Sequence, residues 1–187
     1  MTGHHRCAPC AVPPYILERI ARNGNEQQRS WALSTMAQDT SHRTVRVHNA
    51  LMRSAQRSVT TPRLAPTAGP RRTVCDAKQA EVLPGVTVRA EGDDPVDDVA
   101  VNEAYDGLGA TFDFFSEVYG RDSIDDEGMG LLATVHYGDH YENAFWNGVQ
   151  MVFGDGDGEL FNRFTISLDI IGHELAHGVT EDEAQLM

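Results

Sequence analysis

Close to its C-terminal end the chain reads His173-Glu174-Leu175-Ala176-His177, two histidines four positions apart with a glutamate beside the first. That spacing acquires meaning on a helix. Residues i and i+4 there differ by about 40° in azimuth and about 6 Å along the axis, so both imidazoles converge on one ion. Glu174 is rotated about 100° from His173 and turns toward the water that such an ion activates. The surrounding sequence, with Ser167 as a cap, Ile170-Ile171 before the motif and Leu175-Ala176 inside it, predicts a buried helix with one polar edge. Neutral imidazole suits zinc, zinc lowers the pKa of its water to about 7, and a neighbouring carboxylate passes the proton to a leaving amine. His173 and His177 are therefore the expected zinc ligands and Glu174 the expected general base. The competing reading is that the two histidines merely pack or cap on an acidic helix face.

A catalytic zinc generally has three protein ligands. Thr180 and Glu183 stand where the extended H-E-x-x-H-x-x-G-x-x-H pattern needs Gly and His. Glu181 shares the histidine face but lies about 12 Å along the axis from His173, too far to share the ion. From the residues alone, a third ligand has to come from upstream: His136, His140 or a cysteine.

Charge divides the chain. Through Cys75 there are eleven arginines and only three acids, Glu18, Glu26 and Asp39; beyond it four basic residues face 25 acids, giving the net −13. A basic segment joined to an acidic domain predicts mutual attraction. The arginines are spaced out with no base-stacking aromatics among them, which argues against a nucleic-acid partner. No apolar run approaches about 18 residues, so no membrane-spanning helix and no membrane partner are expected. The first thirty residues lack the order of a signal peptide, which points any export to another route. Cys7, Cys10 and Cys75 are an odd set. The Cys7-Ala8-Pro9-Cys10 spacing has no strand before it and no second pair, so a free or regulatory thiol is expected; a redox protein using Cys7 and Cys10 is the alternative, and it requires a low thiol pKa.

Periodicity predicts a short helix from Tyr15 to about Asn23 after Pro13-Pro14, a second helix over Glu26–Met36, and a strand or frayed connection over residues 42–47. Residues 60–70 carry three prolines and no acid, the composition of an exposed linker open to proteases. Strands are expected at Thr73–Ala77 and Val86–Ala90 around the Pro84-Gly85 turn. A helix capped by the acidic residues 93–98 should bury Val101, Ala104, Tyr105, Leu108, Phe112, Phe115 and Tyr119 and close at Gly120. Leu131–Tyr137 and Asn143–Phe153 read as two strands joined at Gly138-Asp139-His140. The acids of residues 154–159 alternate but fail the calcium-loop pattern, with Leu160 where Gly and Ile166 where Glu are needed, and read as a solvated turn.

Several ordered motifs resemble the thermolysin-like neutral metalloproteases, and more closely their protealysin-type branch: Val101-Asn102-Glu103-Ala104-Tyr105, Gly120-Arg121-Asp122-Ser123-Ile124, Thr134-Val135-His136-Tyr137-Gly138, Asn143-Ala144-Phe145-Trp146-Asn147-Gly148, Met151-Val152-Phe153-Gly154-Asp155-Gly156-Asp157-Gly158 and His173 through Glu181. Cys10 through Ile20, with Pro13-Pro14-Tyr15, is similar to the short propeptide of protealysin-like precursors. The resemblance implies an α+β fold, the N-terminal lobe of such a peptidase behind a mainly helical propeptide. It divides the chain into propeptide 1–58, Pro-rich linker 59–72 and catalytic part 73–187. It implies a zinc endopeptidase zymogen acting on peptide or protein substrates, held latent by its own propeptide, secreted as the family is, with a cytoplasmic location as the alternative. It further implies that Asn143 and Ala144 bind the substrate backbone on an edge strand and that Asp169 ligates a structural calcium. Cys10 or its neighbours approach the zinc in the latent form. The family's third zinc ligand is a Glu about twenty residues past the second His, and a further His follows; both positions fall beyond Met187, as does the helical C-terminal half. Little or no peptidase activity is therefore expected of the 187-residue chain, and the alternative function is an inactive binding or inhibitory module.

Overall fold

The structure, a computed structural model, describes residues 11–57 and 69–184. Pro13 and Pro14 fix the entry of α1 (Pro14–Asn23), with Pro at its first turn where no amide donor is lost. Asn25 then starts α2 (Glu26–Arg57): its Oδ1 accepts from Gln28 N–H at 2.9 Å while Gln28 Oε1 accepts from Asn25 N–H at 3.0 Å, a reciprocal cap. Unbroken, α2 runs through residues 42–47, where alternation suggests a strand or frayed connection, and on to Arg57, well past Met36. The apolar-polar alternation there is a helix with only its inward residues covered: Arg46 is buried while Val45 and Val47 stay exposed.

Five strands follow: β1 (Arg72–Asp76), β2 (Val86–Ala90), β3 (Leu131–Val135), β4 (Ala144–Trp146) and β5 (Met151–Phe153), in the order β2-β1-β3-β5-β4. β1 is antiparallel to β2 and parallel to β3, β3 is parallel to β5, and β5 is antiparallel to β4. Two expectations are corrected here. Asn143–Phe153 is a hairpin rather than one strand, because Asn147 Oδ1 takes the Val149 and Gln150 N–H groups and turns the chain. The strand after Gly138 also does not pair back on β3: β5 takes that place and leaves β4 on the sheet's edge.

Between β2 and β3 runs α3 (Val99–Tyr119), capped by Asp98 Oδ1, which accepts from Ala100 and Val101 N–H, and closed by Gly120 at φ 65°. Its stripe from Val101 to Phe112 is buried as expected, but Phe115 is half-buried and Tyr119 exposed, since the helix outruns the sheet beneath it. α4 (Leu168–Ala184) begins one residue after Ser167, whose carbonyl accepts from Ile170 and Ile171. α3 packs over β1 and β3, and α4 over β4. Their mutual approach is close at Gly107, where a Cβ would sit 2.3 Å from Ile171 Cδ1. Val74, Val101, Leu108, Ala133, Met151, Phe153, Ile171 and Leu175 form the core, and Leu17 of α1 is sealed into the same cluster.

Candidate metal centre and substrate edge

On α4 the two predicted ligands meet. His173 Nε2 and His177 Nε2 lie 3.0 Å apart, and with Glu174 their ligand atoms fall within 4.8 Å of one another, the one such convergence among the described residues. A tetrahedral zinc bonded at about 2.0–2.1 Å holds two nitrogens about 3.3 Å apart, so the pair fits that ion with almost no movement. Burial lowers the His177 pKa to about 4, aided by neighbouring His173 and Arg46, which keeps the ring in its ligating neutral form.

Glu174 is fully buried under β4. Its Oε2 accepts the Trp146 N–H at 3.1 Å and its Oε1 has no hydrogen-bond partner among the described residues. Burial raises its pKa to about 8, with the Trp146 N–H and Arg46 pulling the other way. A bound divalent cation beside it reverses that effect and favours the carboxylate. The close seat of α4 against β4 is set at Gly178, where a Cβ would meet Ile124 Cγ2 at 2.8 Å and the Trp146 ring at 3.2 Å.

β4's free edge is covered by the chain's own N-terminal segment. Ala11 N–H donates to Ala144 C=O at 3.1 Å; Val12 N–H donates to Asn143 Oδ1 at 2.8 Å, and Asn143 Nδ2 reaches back to Val12 C=O at 3.4 Å. Asn143 thus brackets one residue, Val12, between the two ends of its carboxamide while Ala144 supplies a main-chain bond, the geometry of strand addition. α2 seals the rest. Asp39 accepts from Tyr141 Oη and from Asn143 Nδ2 at 3.0 Å, Thr35 Oγ1 accepts from Glu142 N–H, and Arg46 Nε donates to Glu181 Oε2 at 3.1 Å. The His42 ring stacks on Phe145 at 4.0 Å between the edges of Tyr137 and Tyr141, and burial lowers its pKa to about 4.

Among the described residues, the upstream candidates for a third ligand are not brought to the site. His136 lies between Asp155 and Asp98, each at 2.9 Å, and the Asp155 carboxylate, with Asp98, holds its pKa at about 9 against burial. His140 stacks on Trp31 at 4.2 Å, and Cys75 is a buried thiol in β1. Both ring nitrogens of His136 are committed to carboxylates, which spacing gave no means to foresee. Asp169 is exposed on the first turn of α4 and joins no convergent acidic group among the described residues. Cys7, Cys10 and most of the 59–72 linker lie outside the described residues. Asp39, His42 and Arg46 were missed as site-covering residues; the signal for them was the helical spacing of residues 39, 42 and 46, hidden by a helix ended too early.

A helix that brings two histidines and a glutamate together beneath an edge strand covered by an extended segment is the arrangement of a metallopeptidase lobe. The chain belongs to the thermolysin metallopeptidase catalytic-domain family, whose pattern matches residues 26–181. It is 49% identical to an extracellular metalloprotease of Pectobacterium carotovorum subsp. carotovorum over 176 residues, 94% of this chain and 48% of that protein. A thermolysin of Alicyclobacillus acidocaldarius subsp. acidocaldarius is 44% identical over 115 residues, 60% of this chain and 21% of that one. The fold is similar to a solved precursor of protealysin, the metalloproteinase from Serratia proteamaculans, with a TM-score of 0.79 and 46% identity over 96% of this chain and 49% of that one. The chain thus spans about half the length of the Pectobacterium and Serratia proteins and 21% of the thermolysin, and the family carries a metal cofactor.

Proposed function

We propose that this chain is the latent N-terminal lobe of a zinc endopeptidase, in which residues 11–57 occupy the strand edge that a peptide substrate later takes. The observation that carries this reading is the pair of contacts from Ala11 and Val12 to Ala144 and Asn143, on the strand whose Trp146 N–H binds Glu174. His173 and His177 would hold the ion, which would supply Lewis acidity and lower the pKa of a water beside it. Asn143 and Ala144 orient the substrate backbone. Glu174 Oε1, without a hydrogen-bond partner among the described residues, would take the water's proton and return it to the departing amine, while Trp146 N–H fixes the other oxygen. Calcium at Asp169, a propeptide boundary near residue 58, Cys10 as a further latency group and export from the cell belong to the same reading. The matching relatives' names, extracellular metalloprotease and protealysin precursor, support it.

With two protein ligands the ion is weakly held, so the isolated 187-residue chain is expected to cleave casein at trace level or not at all. Joined to the remaining half of the Pectobacterium relative, it should cleave casein in a zinc-dependent way that Glu174→Gln abolishes. Cleavage that survives either zinc removal or Glu174→Gln contradicts the assignment.

A further inference from the structure

Glu181 follows His173 and His177 at the same four-residue interval, so it continues their stripe along α4 about one turn beyond the second ligand. It therefore lies on the face of α4 that carries the two histidines. Its carboxylate is met by Arg46 of α2, and both side chains are nearly out of solvent, 4% and 8% exposed. The fit is incomplete. Only Nε of the guanidinium reaches Oε2, while Arg46 Nη1 and Glu181 Oε1 are left without partners instead of forming the two-pronged pair that these groups prefer. Nearby, Asn49 Nδ2 donates to Asn147 C=O at 2.9 Å, and a Cβ built on Gly148 would stand 3.7 Å from Glu181 Oε1, so the turn after β4 walls the same space. The N-terminal segment thus covers β4 at two places: Ala11 and Val12 at Asn143 and Ala144, and Arg46 with Asn49 beyond Trp146.

Resting on the reading of residues 11–57 as a segment that yields its place to substrate, we propose that Glu181 is a specificity-determining residue that selects an arginine or lysine side chain in the peptide laid along β4. Once Arg46 withdraws, the Glu181 carboxylate is left unpaired beside the Asn147–Gly148 turn, with both oxygens open to a cation that completes the two prongs Arg46 does not. A peptide extended along the β4 edge from Asn143 toward Trp146 runs toward this site, and a long basic side chain is what spans the distance Arg46 now spans.

The test uses the full chain with Arg46→Ala, which opens a guanidinium-sized space, and ethylguanidinium against its neutral counterpart ethylurea as probes, read by calorimetry. Ethylguanidinium should bind about tenfold or more tightly than ethylurea, and the preference should vanish in Arg46→Ala/Glu181→Gln. Equal binding of the two probes, or a preference that survives Glu181→Gln, overturns the proposal. A second measurement needs no substitution at Arg46: a decapeptide with a central arginine should speed amide exchange of α2 in the unsubstituted chain about tenfold more than its citrulline twin, by displacing Arg46. Equal effects of the twins overturn the proposal. Neither readout involves hydrolysis, so a loss of preference condemns the basic-residue site alone, while zinc-independent cleavage in the casein assay condemns the peptidase reading alone.

Discussion

The interior of the lobe and the interface beneath α2 are both closed to water, yet they are built from different materials. Inside the lobe, Val74, Val101, Leu108, Met151, Phe153 and Leu175 pack apolar surface on apolar surface. Under α2, the buried groups include Asp39, Arg46, Glu142, Asn143 and Glu181. Apolar burial holds at any pH, whereas a buried polar interface holds only while each charge keeps its partner and protonation state. The lobe is made to persist, and the covering segment is held by contacts that a change of conditions or a competing peptide can undo. Leu17 is the exception, an apolar anchor that ties α1 into the main cluster.

Removing one partner of a buried charge should have the largest effect. Arg46→Ala strands Glu181 and is expected to weaken docking of α2 by about 3–5 kcal/mol, seen as faster hydrogen exchange along α2 with the sheet amides unchanged. Equal acceleration in the sheet would erase the distinction between the two regions. Leu108→Ala, within the lobe, should cost about 2–5 kcal/mol of global stability in urea unfolding and lower sheet protection with it.

pH separates the regions next. Glu142 is fully buried at the interface, neither carboxylate oxygen has a partner among the described residues, and burial raises its pKa to about 7, with Asp157 adding to the shift. The docked state favours the protonated acid, so docking is unpenalised below about pH 4.5 and weakens as pH climbs toward 7. Glu142→Gln should flatten that slope and strengthen docking at pH 8 by about 2 kcal/mol. His136, in the lobe, shifts the opposite way: its pKa is raised from 6.5 to about 9, so its ties to Asp155 and Asp98 contribute fully below pH 6.5 and fade through pH 9. Because the trio is partly exposed, about 1–2 kcal/mol should be lost across that window in thermal unfolding and should be absent in His136→Gln. The smallest effect belongs to Arg22→Ala, which removes an exposed i,i+4 pair with Glu18 and should change stability by less than about 0.5 kcal/mol.

How far the sequence could be read followed the same division. The spacing of His173, Glu174 and His177 and the stripe on α3 are local, periodic signals, and the helices came through with their caps at Asp98 and Gly120. What escaped were long-range facts. The placement of β5 beside β3 depends on a parallel pairing that hairpin logic does not supply, and the sequence of α2 beyond Met36 shows no apolar stripe because Val45, Val47, Leu51 and Met52 stay exposed while Ala32, Thr35, Asp39 and Arg46 turn inward. Glu181 was legible as a residue of the histidine face, but its partner was not, since Arg46 stands 135 positions earlier. Asn143 and Ala144, expected at an edge strand from family resemblance, lie at and beside the start of β4, where Val12 and Ala11 meet them.

In the proposed latent state, two imidazoles at one helical turn's spacing hold a zinc ion within reach of Glu174 while the chain's own N-terminal segment covers the edge beside them. Zinc per chain, counted after dialysis against a rising series of buffered zinc concentrations, is the deciding measurement. One equivalent should be held by the unsubstituted chain and by Glu174→Gln at the level where a two-histidine site fills, and be missing at that level in His173→Ala and His177→Ala. Retention of zinc by both histidine variants, or no retention by the unsubstituted chain at any buffered zinc level, would contradict the account.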